Sequence, residues 1–304
     1  MPKLVLRLKL QLGLISENDG VHKNPLNILI TGITGFLGRN LIGSLHPHRI
    51  IGLGTRDETI EGIPVFSVGN LDKISPSPDI LIVGHAAVAA GSQHVPNSVL
   101  YEVNVALTEK ILDTFKDAFV IYISTASVYD NRLPSIEENS AIAPQSAYAV
   151  SKLWAEGMVN RRAHATILRF SSLFGNGMKE ETLIPRYVNQ ALRTGEIEVW
   201  GRGERWQNYL HVLDACAYVQ LAVENSEKVQ GRILLAVSQK EHTNEELANL
   251  ISREIGARIV HKNTDPAKSL RYNNNATRSL LGIRRESLFE EQIKNYIIWK
   301  QRQS

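Results

Sequence analysis

The sequence predicts an α/β fold: a doubly wound parallel sheet followed by a smaller C-terminal α/β lobe. Three observations predict it. The apolar run Asn27-Ile28-Leu29-Ile30 leads into a glycine turn, Thr31-Gly32-Ile33-Thr34-Gly35-Phe36-Leu37-Gly38, and then into helical apolar spacing from Arg39 to Leu45. Strand-length apolar runs alternate with helical patterns as far as Phe170, in units of about thirty residues, as βαβ units do around a parallel sheet. Finally, 304 residues at 43% hydrophobic and 21% charged suit one large domain, or two smaller ones sharing a cleft.

Composition also excludes. A net charge of +3 gives no argument for nucleic acid or a membrane surface, although a mildly basic protein suits an anionic small substrate. Cys216 is the single cysteine, so no internal disulfide forms; this favours a reducing compartment and a cytoplasmic location. No apolar run has transmembrane length, and no residue cluster is read as a metal site.

The elements follow in order. Leucine occupies every even position from Leu4 to Leu14, with Arg7, Lys9 and Gln11 between. That period predicts one half-buried strand in an N-terminal arm, residues 1–25. Residues 26–172 form the dinucleotide-binding domain. At its glycine turn a pyrophosphate can rest on backbone N–H groups at the helix start, which nominates Gly32, Thr34, Gly35, Phe36, Leu37 and Gly38. The second strand, Arg49 to Leu53, runs into Gly54-Thr55-Arg56-Asp57. A carboxylate at such a strand end binds the ribose 2′-hydroxyl of NAD, and an arginine accommodates the 2′-phosphate of NADP. Gly54 stands where the carboxylate is expected. Arg56 follows, and Arg39 is able to join it, so NADP is favoured over NAD, with Asp57 keeping NAD open.

Pro64 to Val68 is the third strand, and Gly69-Asn70-Leu71 after it falls beside the adenine. The fourth, Asp79 to Val83, is apolar throughout, as a strand covered on both faces should be. It ends in Gly84-His85-Ala86-Ala87, where Ala86 and Ala87 let a backbone approach the cofactor and His85 reads as a packed histidine. A helix from Asn97 to Phe115 contains Asn104. Strand five, Ala118 to Ile123, delivers Ser124-Thr125-Ala126-Ser127-Val128-Tyr129. Ser146 to Glu156 is helical, and Thr166 to Phe170 is strand six. Residues 173–304 form the substrate-binding lobe, with helices at 184–193, 214–223 and 287–302, strands at 197–200 and 232–237, and a capping box from Thr243 to Glu246. A chain that crosses back between the two lobes is compatible with these bounds. The smaller lobe is expected to close over the sheet's carboxyl edge.

Tyr148 and Lys152 lie four apart, on one helix face. An ammonium beside a phenol favours phenolate and lowers a pKa near 10 toward working pH. Such a phenolate is a general base for an alcohol whose carbon gives up hydride, and the protonated phenol is the acid for the reverse. Thr125, at the end of strand five, is placed to hold the same substrate oxygen.

These residues resemble an extended short-chain dehydrogenase/reductase, specifically the NAD-dependent epimerase/dehydratase family acting on nucleotide sugars. The resemblance rests on Thr-Gly-x-x-Gly-x-x-Gly at Thr31 to Gly38, His85-Ala86-Ala87, Asn104, the Ser124 to Tyr129 stretch, Tyr148-Ala149-Val150-Ser151-Lys152, and Arg169 followed by Leu173-Phe174-Gly175. It spans about residues 26 to 300. It implies a Rossmann-type fold, Thr125, Tyr148 and Lys152 as the triad, Lys152 also at the nicotinamide ribose, and Asn104 fixing the helix and a water. It further implies a homodimer built on two helices of each subunit.

Departures from the family pattern redirect the substrate reading. The segment Trp200 to Asp214 resembles the family's substrate loop, yet Gln207-Asn208 replaces the usual Arg-Asp, whose arginine contacts the nucleotide diphosphate. Either Arg205, Arg202 or Arg271 compensates or the substrate is not a common sugar diphosphonucleotide, and Gln207 itself becomes a substrate candidate. Ala126-Ser127 lacks the acidic pair of the family's dehydratases. Three readings follow. The first is NADPH-dependent reduction of a 4-keto-6-deoxy nucleotide sugar, favoured by Gly54 and Arg56. The second is a nucleotide-sugar epimerase with no net redox change. The third is a non-catalytic NADP-binding regulator, disfavoured because Tyr148 and Lys152 are both retained.

Overall fold

The computed structural model describes residues 24–88 and 94–303. The leucine-patterned arm therefore lies outside the described residues. The chain begins with β1 (Asn27–Thr31), α1 (Phe36–Ser44), β2 (Arg49–Gly54), β3 (Glu58–Ile60), β4 (Ile63–Ser67) and β5 (Ile80–Val83). It continues through α2 (Asn97–Tyr101), a π-turn (Glu102–Ala106), α3 (Leu107–Thr114), β6 (Phe119–Thr125), α4 (Ala147–Val159) and β7 (Ala165–Phe170).

The large sheet has the order β11-β7-β6-β5-β1-β2-β4-β3, where β11 is Ile233–Ala236. Neighbours pair in parallel except the β3–β4 hairpin. The order reverses between β1 and β5, and the glycine turn leaves β1 at that point. The strand at Ile233 to Ala236 thus pairs with β7 in the large sheet and is not part of the smaller lobe, where the sequence had placed it. An apolar run carries the information that it is buried, but not which edge it will meet.

Each strand's alternation divides the core in two. Ile28, Ile30, Ile80, Ile82, Ile121 and Ile123 face a layer made with α1 and with α6 (Val212–Glu224). Leu29, Leu81, Val83, Val120 and Tyr122 face the opposite layer, with Ile111 and Leu112 of α3 and Ala155, Met158 and Val159 of α4. A smaller core joins α5 (Leu183–Thr194), β9 (Glu196–Trp200), α8 (Asn244–Ile255) and α10 (Phe289–Gln301) around Tyr187, Val199, Leu247, Ile251 and Ile293. The predicted capping box is present: Thr243 accepts from Glu246 N, and Glu246 accepts from Thr243 N.

Asp214 sits in the first turn of α6, where a carboxylate suits the helix dipole. It accepts from Ser287 Oγ at 2.9 Å and so ties α6 to the start of α10. Burial nevertheless pushes its carboxyl up to about 7. A raised carboxyl pKa makes the folded state hold a proton that the unfolded chain has released. Stability is unaffected below about pH 4 and then falls by up to about 4 kcal/mol as pH rises to 7. Asp214→Asn is expected to flatten that fall. Urea melts at pH 5 and pH 8 check it, and parallel losses in native protein and variant would show that Asp214 ionises normally.

Candidate active site

The glycine turn is shaped for close backbone approach. Gly32 has φ +69°, and a Cβ there would lie 2.8 Å from His85 Cα. A Cβ on Gly38 would meet Gly32 O at 2.4 Å. Both positions therefore exclude side chains. Gly35 caps α1 with no side-chain bond, and the first turn of α1 carries no acid. The helix start thus presents backbone donors and no competing negative charge, which fits an anion such as a pyrophosphate. Phe36 and Leu37 open the helix, and Arg39 Nε donates to Thr34 O at 3.0 Å.

The adenosine end is arranged differently from the sequence expectation. The Arg56 side chain is 77% exposed and pairs with Glu58 at 3.3 Å. Asp57 accepts from Ser67 N at 2.6 Å and Asn70 Nδ2 at 2.5 Å, bonds that hold its carboxyl below the usual range. Asn70 is thereby oriented, and Leu71 beside it is buried.

At the end of β5, His85 bridges Thr31 Oγ1 at 2.7 Å and Thr108 Oγ1 at 3.2 Å. Burial first, then the Lys152 charge, pushes it down to about 4. It is the packed, neutral histidine the sequence suggested. Asn104, fully buried at the centre of the π-turn, takes both polar groups of Ala87: Ala87 N donates to Oδ1 at 2.8 Å, and Nδ2 donates to Ala87 O at 3.1 Å. Its Nδ2 also donates to Ser151 Oγ at 2.9 Å, and Ser151 Oγ donates to Tyr148 O at 2.7 Å. Asn104 therefore locks the loop after β5 to α4 from within the core, outside the lining of the cleft. Ser151, which no sequence signal marked, is the link between them.

Thr125 and Tyr148 line one cleft of about 350 Å³, together with Ser127, Ser171, Arg205, Gln207, Lys268 and Tyr272. Thr125 Oγ1 accepts from Ser127 N at 3.1 Å, which leaves its O–H free to donate into the cleft. Ser146 caps α4 by accepting from Ala149 N at 3.2 Å and so fixes the register that presents Tyr148. Lys152 is 2% exposed behind Tyr148, and its Nζ stands 4.2 Å from the Tyr122 ring centroid. Burial pushes the Tyr148 phenol up to about 12 and the Lys152 ammonium down to about 7. This corrects the expectation of a phenol lowered by its lysine: desolvation is the leading cause on both groups in the protein alone.

The substrate loop departs from expectation in detail. Gln207 Nε2 donates to Asn244 Oδ1 at 2.6 Å. Asn208 is buried, accepting from Ser171 Oγ and Ser238 N and donating to Ser238 O, so it clamps β10 (Trp206–His211) beside the large sheet. Arg205 lines the cleft and also a second hollow of about 330 Å³, with Arg186, Tyr187, Trp200, Asn244 and Asp265. Its Nε is buried without a hydrogen-bond partner among the described residues, and Asp265 is 3.8 Å from its NH1. Arg271 lies over Trp206 at 5.0 Å, outside the lining of both cavities. Arg202 is exposed. Lys268, missed in the sequence for want of a motif, lines the cleft instead.

The model of the NAD dependent epimerase/dehydratase family matches residues 28–236. The chain belongs to that family. Among its relatives, a dTDP-glucose 4,6-dehydratase of Streptomyces niveus is 24% identical over 90% of this chain and 92% of that protein. A UDP-N-acetyl-alpha-D-glucosaminuronate decarboxylase of Bacillus cytotoxicus is 28% identical over 77% and 82%. The fold is also that of the UDP-glucuronic acid 4-epimerase from Bacillus cereus in complex with NAD, at TM-score 0.80 and 17% identity over 91% of this chain and 99% of that one. A dTDP-glucose 4,6-dehydratase from Bacillus anthracis in complex with NAD aligns at TM-score 0.77 and 18% identity, over 91% and 97%.

The preference for NADP finds no support. Arg56 is engaged by Glu58, and both solved relatives hold NAD. The leaning toward NADPH-dependent reduction, which rested on Gly54 and Arg56, loses its basis with it. No helix among the described residues is long and apolar enough to cross a membrane, and no group of three or more potential metal ligands is found among them.

Proposed function

We propose that the protein is an NAD-dependent nucleotide-sugar epimerase, which withdraws hydride from a hydroxyl-bearing sugar carbon and returns it with no net redox change. The observation that carries this reading is the cleft itself: Thr125 and Tyr148 share it, and none of its described lining residues is a carboxylate. Eliminating water next to a keto group needs an added acid and base beyond the tyrosine, and that lining supplies none. The oxidised cofactor, when bound, supplies the hydride acceptor and a positive charge near the phenol. Tyr148 then takes the hydroxyl proton and Thr125 orients the oxygen. Lys152, behind Tyr148, stabilises the phenolate.

The same proposal covers the substrate's anionic part. Arg205 lies between two adjoining cavities, which suits a substrate with a sugar in one, a nucleoside in the other and a diphosphate between. Lys268 adds a second positive charge at the cleft. Arg205→Ala is expected to raise KM more than about tenfold, the loss of roughly one charge-assisted hydrogen bond, while changing kcat less. Steady-state kinetics check the split. The test of the function is incubation with NAD and a panel of nucleotide sugars, neutral and uronic, with products identified by NMR. Epimer interconversion without accumulating NADH supports the reading. Loss of water or release of carbon dioxide sinks it in favour of the activities named for the relatives, and consumption of added NADPH revives the reductase.

A homodimer belongs to the proposal as well. Tyr101 and Trp154 are 48% and 58% exposed and meet edge to face at 5.7 Å across α2 and α4, with Val150 exposed one turn before Trp154. Apolar exposure of that kind suits a second copy of the same helices. Trp154→Glu is expected to give a monomer by light scattering, and an unchanged mass would place the interface elsewhere. Cytoplasmic location remains part of the reading, resting on the single cysteine.

A further inference from the structure

We propose that Tyr122 is a positioning residue for Lys152: the face of its ring holds the buried ammonium in place and favours its charged form. The inference rests on the reading of Lys152 as the partner of Tyr148. Tyr122 lies on β6, three residues before Thr125, and its side chain enters the layer between the sheet and α4. It is fully buried, and Lys152 Nζ stands 4.2 Å from its ring centroid. A desolvated ammonium over an aromatic face is attracted by the ring's quadrupole, and the attraction strengthens as water is excluded.

The surroundings leave that contact unopposed. On its own helix Lys152 has Tyr148 four residues before it and Glu156 four residues after, and the Glu156 charge favours the ammonium. Glu156 is committed elsewhere: it accepts from Arg169 Nε at 3.0 Å, Arg169 NH2 at 2.6 Å and Ser124 Oγ at 2.5 Å. With Arg169 it forms a pair of nearly zero net charge. His85, from the end of β5, is held neutral between two threonines. Burial draws the Lys152 ammonium down to about 7, so at neutral pH a modest attraction decides whether it carries its charge. The Tyr122 hydroxyl plays no visible part, being buried with no hydrogen-bond partner among the described residues. The ring, and not the O–H, is the working part.

The titration of Lys152 tests this, followed by NMR on the full-length protein labelled at lysine and assigned with Lys152→Met. Tyr122→Phe keeps the ring face and is expected to leave the midpoint in place. Tyr122→Leu is expected to lower it by about one pH unit, the scale of a buried cation–π contact. Since Tyr122→Leu also removes packing volume, a second series places phenylalanine and its increasingly fluorinated analogues at position 122. Their shape is nearly constant while the ring's negative face is progressively withdrawn, so the midpoint is expected to fall stepwise. A midpoint that stays constant along the fluorinated series overturns the proposal. The titration needs no turnover, so it reads Tyr122 even if the epimerase reading fails, and the substrate panel reads the epimerase even if Tyr122 proves inert.

Discussion

Tyr148→Phe is expected to lower kcat by about 10²- to 10⁴-fold, the usual contribution of a positioned general acid–base, while leaving NAD affinity and thermal stability near native. The substitution removes one oxygen from a cleft-lining ring and leaves the helix untouched. The Ser146 cap, the Asn104–Ser151 link and the packing of α4 all remain. In the protein alone burial pushes the phenol up to about 12, so the resting group carries its proton at neutral pH. Epimer interconversion measured at saturating substrate, alongside calorimetric NAD binding, checks both halves. A variant with native turnover would show that another group carries the proton, whereas no turnover in native protein or variant would return the protein to the regulator reading.

Arg169→Met is expected to destabilise the fold by about 3–5 kcal/mol, because it strands Glu156 as a buried, uncompensated charge. Only 4% of the Arg169 side chain and 2% of the Glu156 side chain are exposed, and two hydrogen bonds join them. The guanidinium also lies 4.6 Å from the Tyr129 ring. The pair bridges β7 to α4 one turn beyond Lys152, so the loss should reach the site as well as the core. Arg169→Met combined with Glu156→Gln removes both charges and is expected to recover most of the stability. Urea melts of the two single variants and the double variant check it. If the double variant is no better than Arg169→Met alone, the packing of the arginine stem and not its charge holds this corner.

Those two residues were legible in the sequence to different degrees. Tyr148 stood out because its partner lies one helical turn away, and a spacing of four is a local property. Arg169 was visible as part of a family motif, but its partnership with Glu156 was not, since they lie on different elements and meet only when β7 packs under α4. Arg56 shows the converse. Its place after β2 predicted a phosphate contact, yet Glu58, at the start of β3 only two residues on, is the nearer partner in an exposed turn. Arg205 was singled out without a reason to prefer it over Arg202 or Arg271. Nothing local distinguishes an arginine between two cavities from one that is exposed or stacked on Trp206.

By itself, the sequence determined six of the eight strands of the large sheet, the glycine turn between the first strand and its helix, and the order in which Thr125, Tyr148 and Lys152 arrive. Each of these follows from periodicity, steric exclusion or a spacing within one element, all of which are written in neighbouring residues. The tertiary structure alone decided that the strand at Ile233 joins the large sheet, that Asn104 works from the core through Ser151, and that Tyr122 lies under Lys152. It also decided that burial pulls Tyr148 and Lys152 away from charge. Desolvation and ring contact depend on what the rest of the chain brings to a residue from far along the sequence, and no local pattern records that.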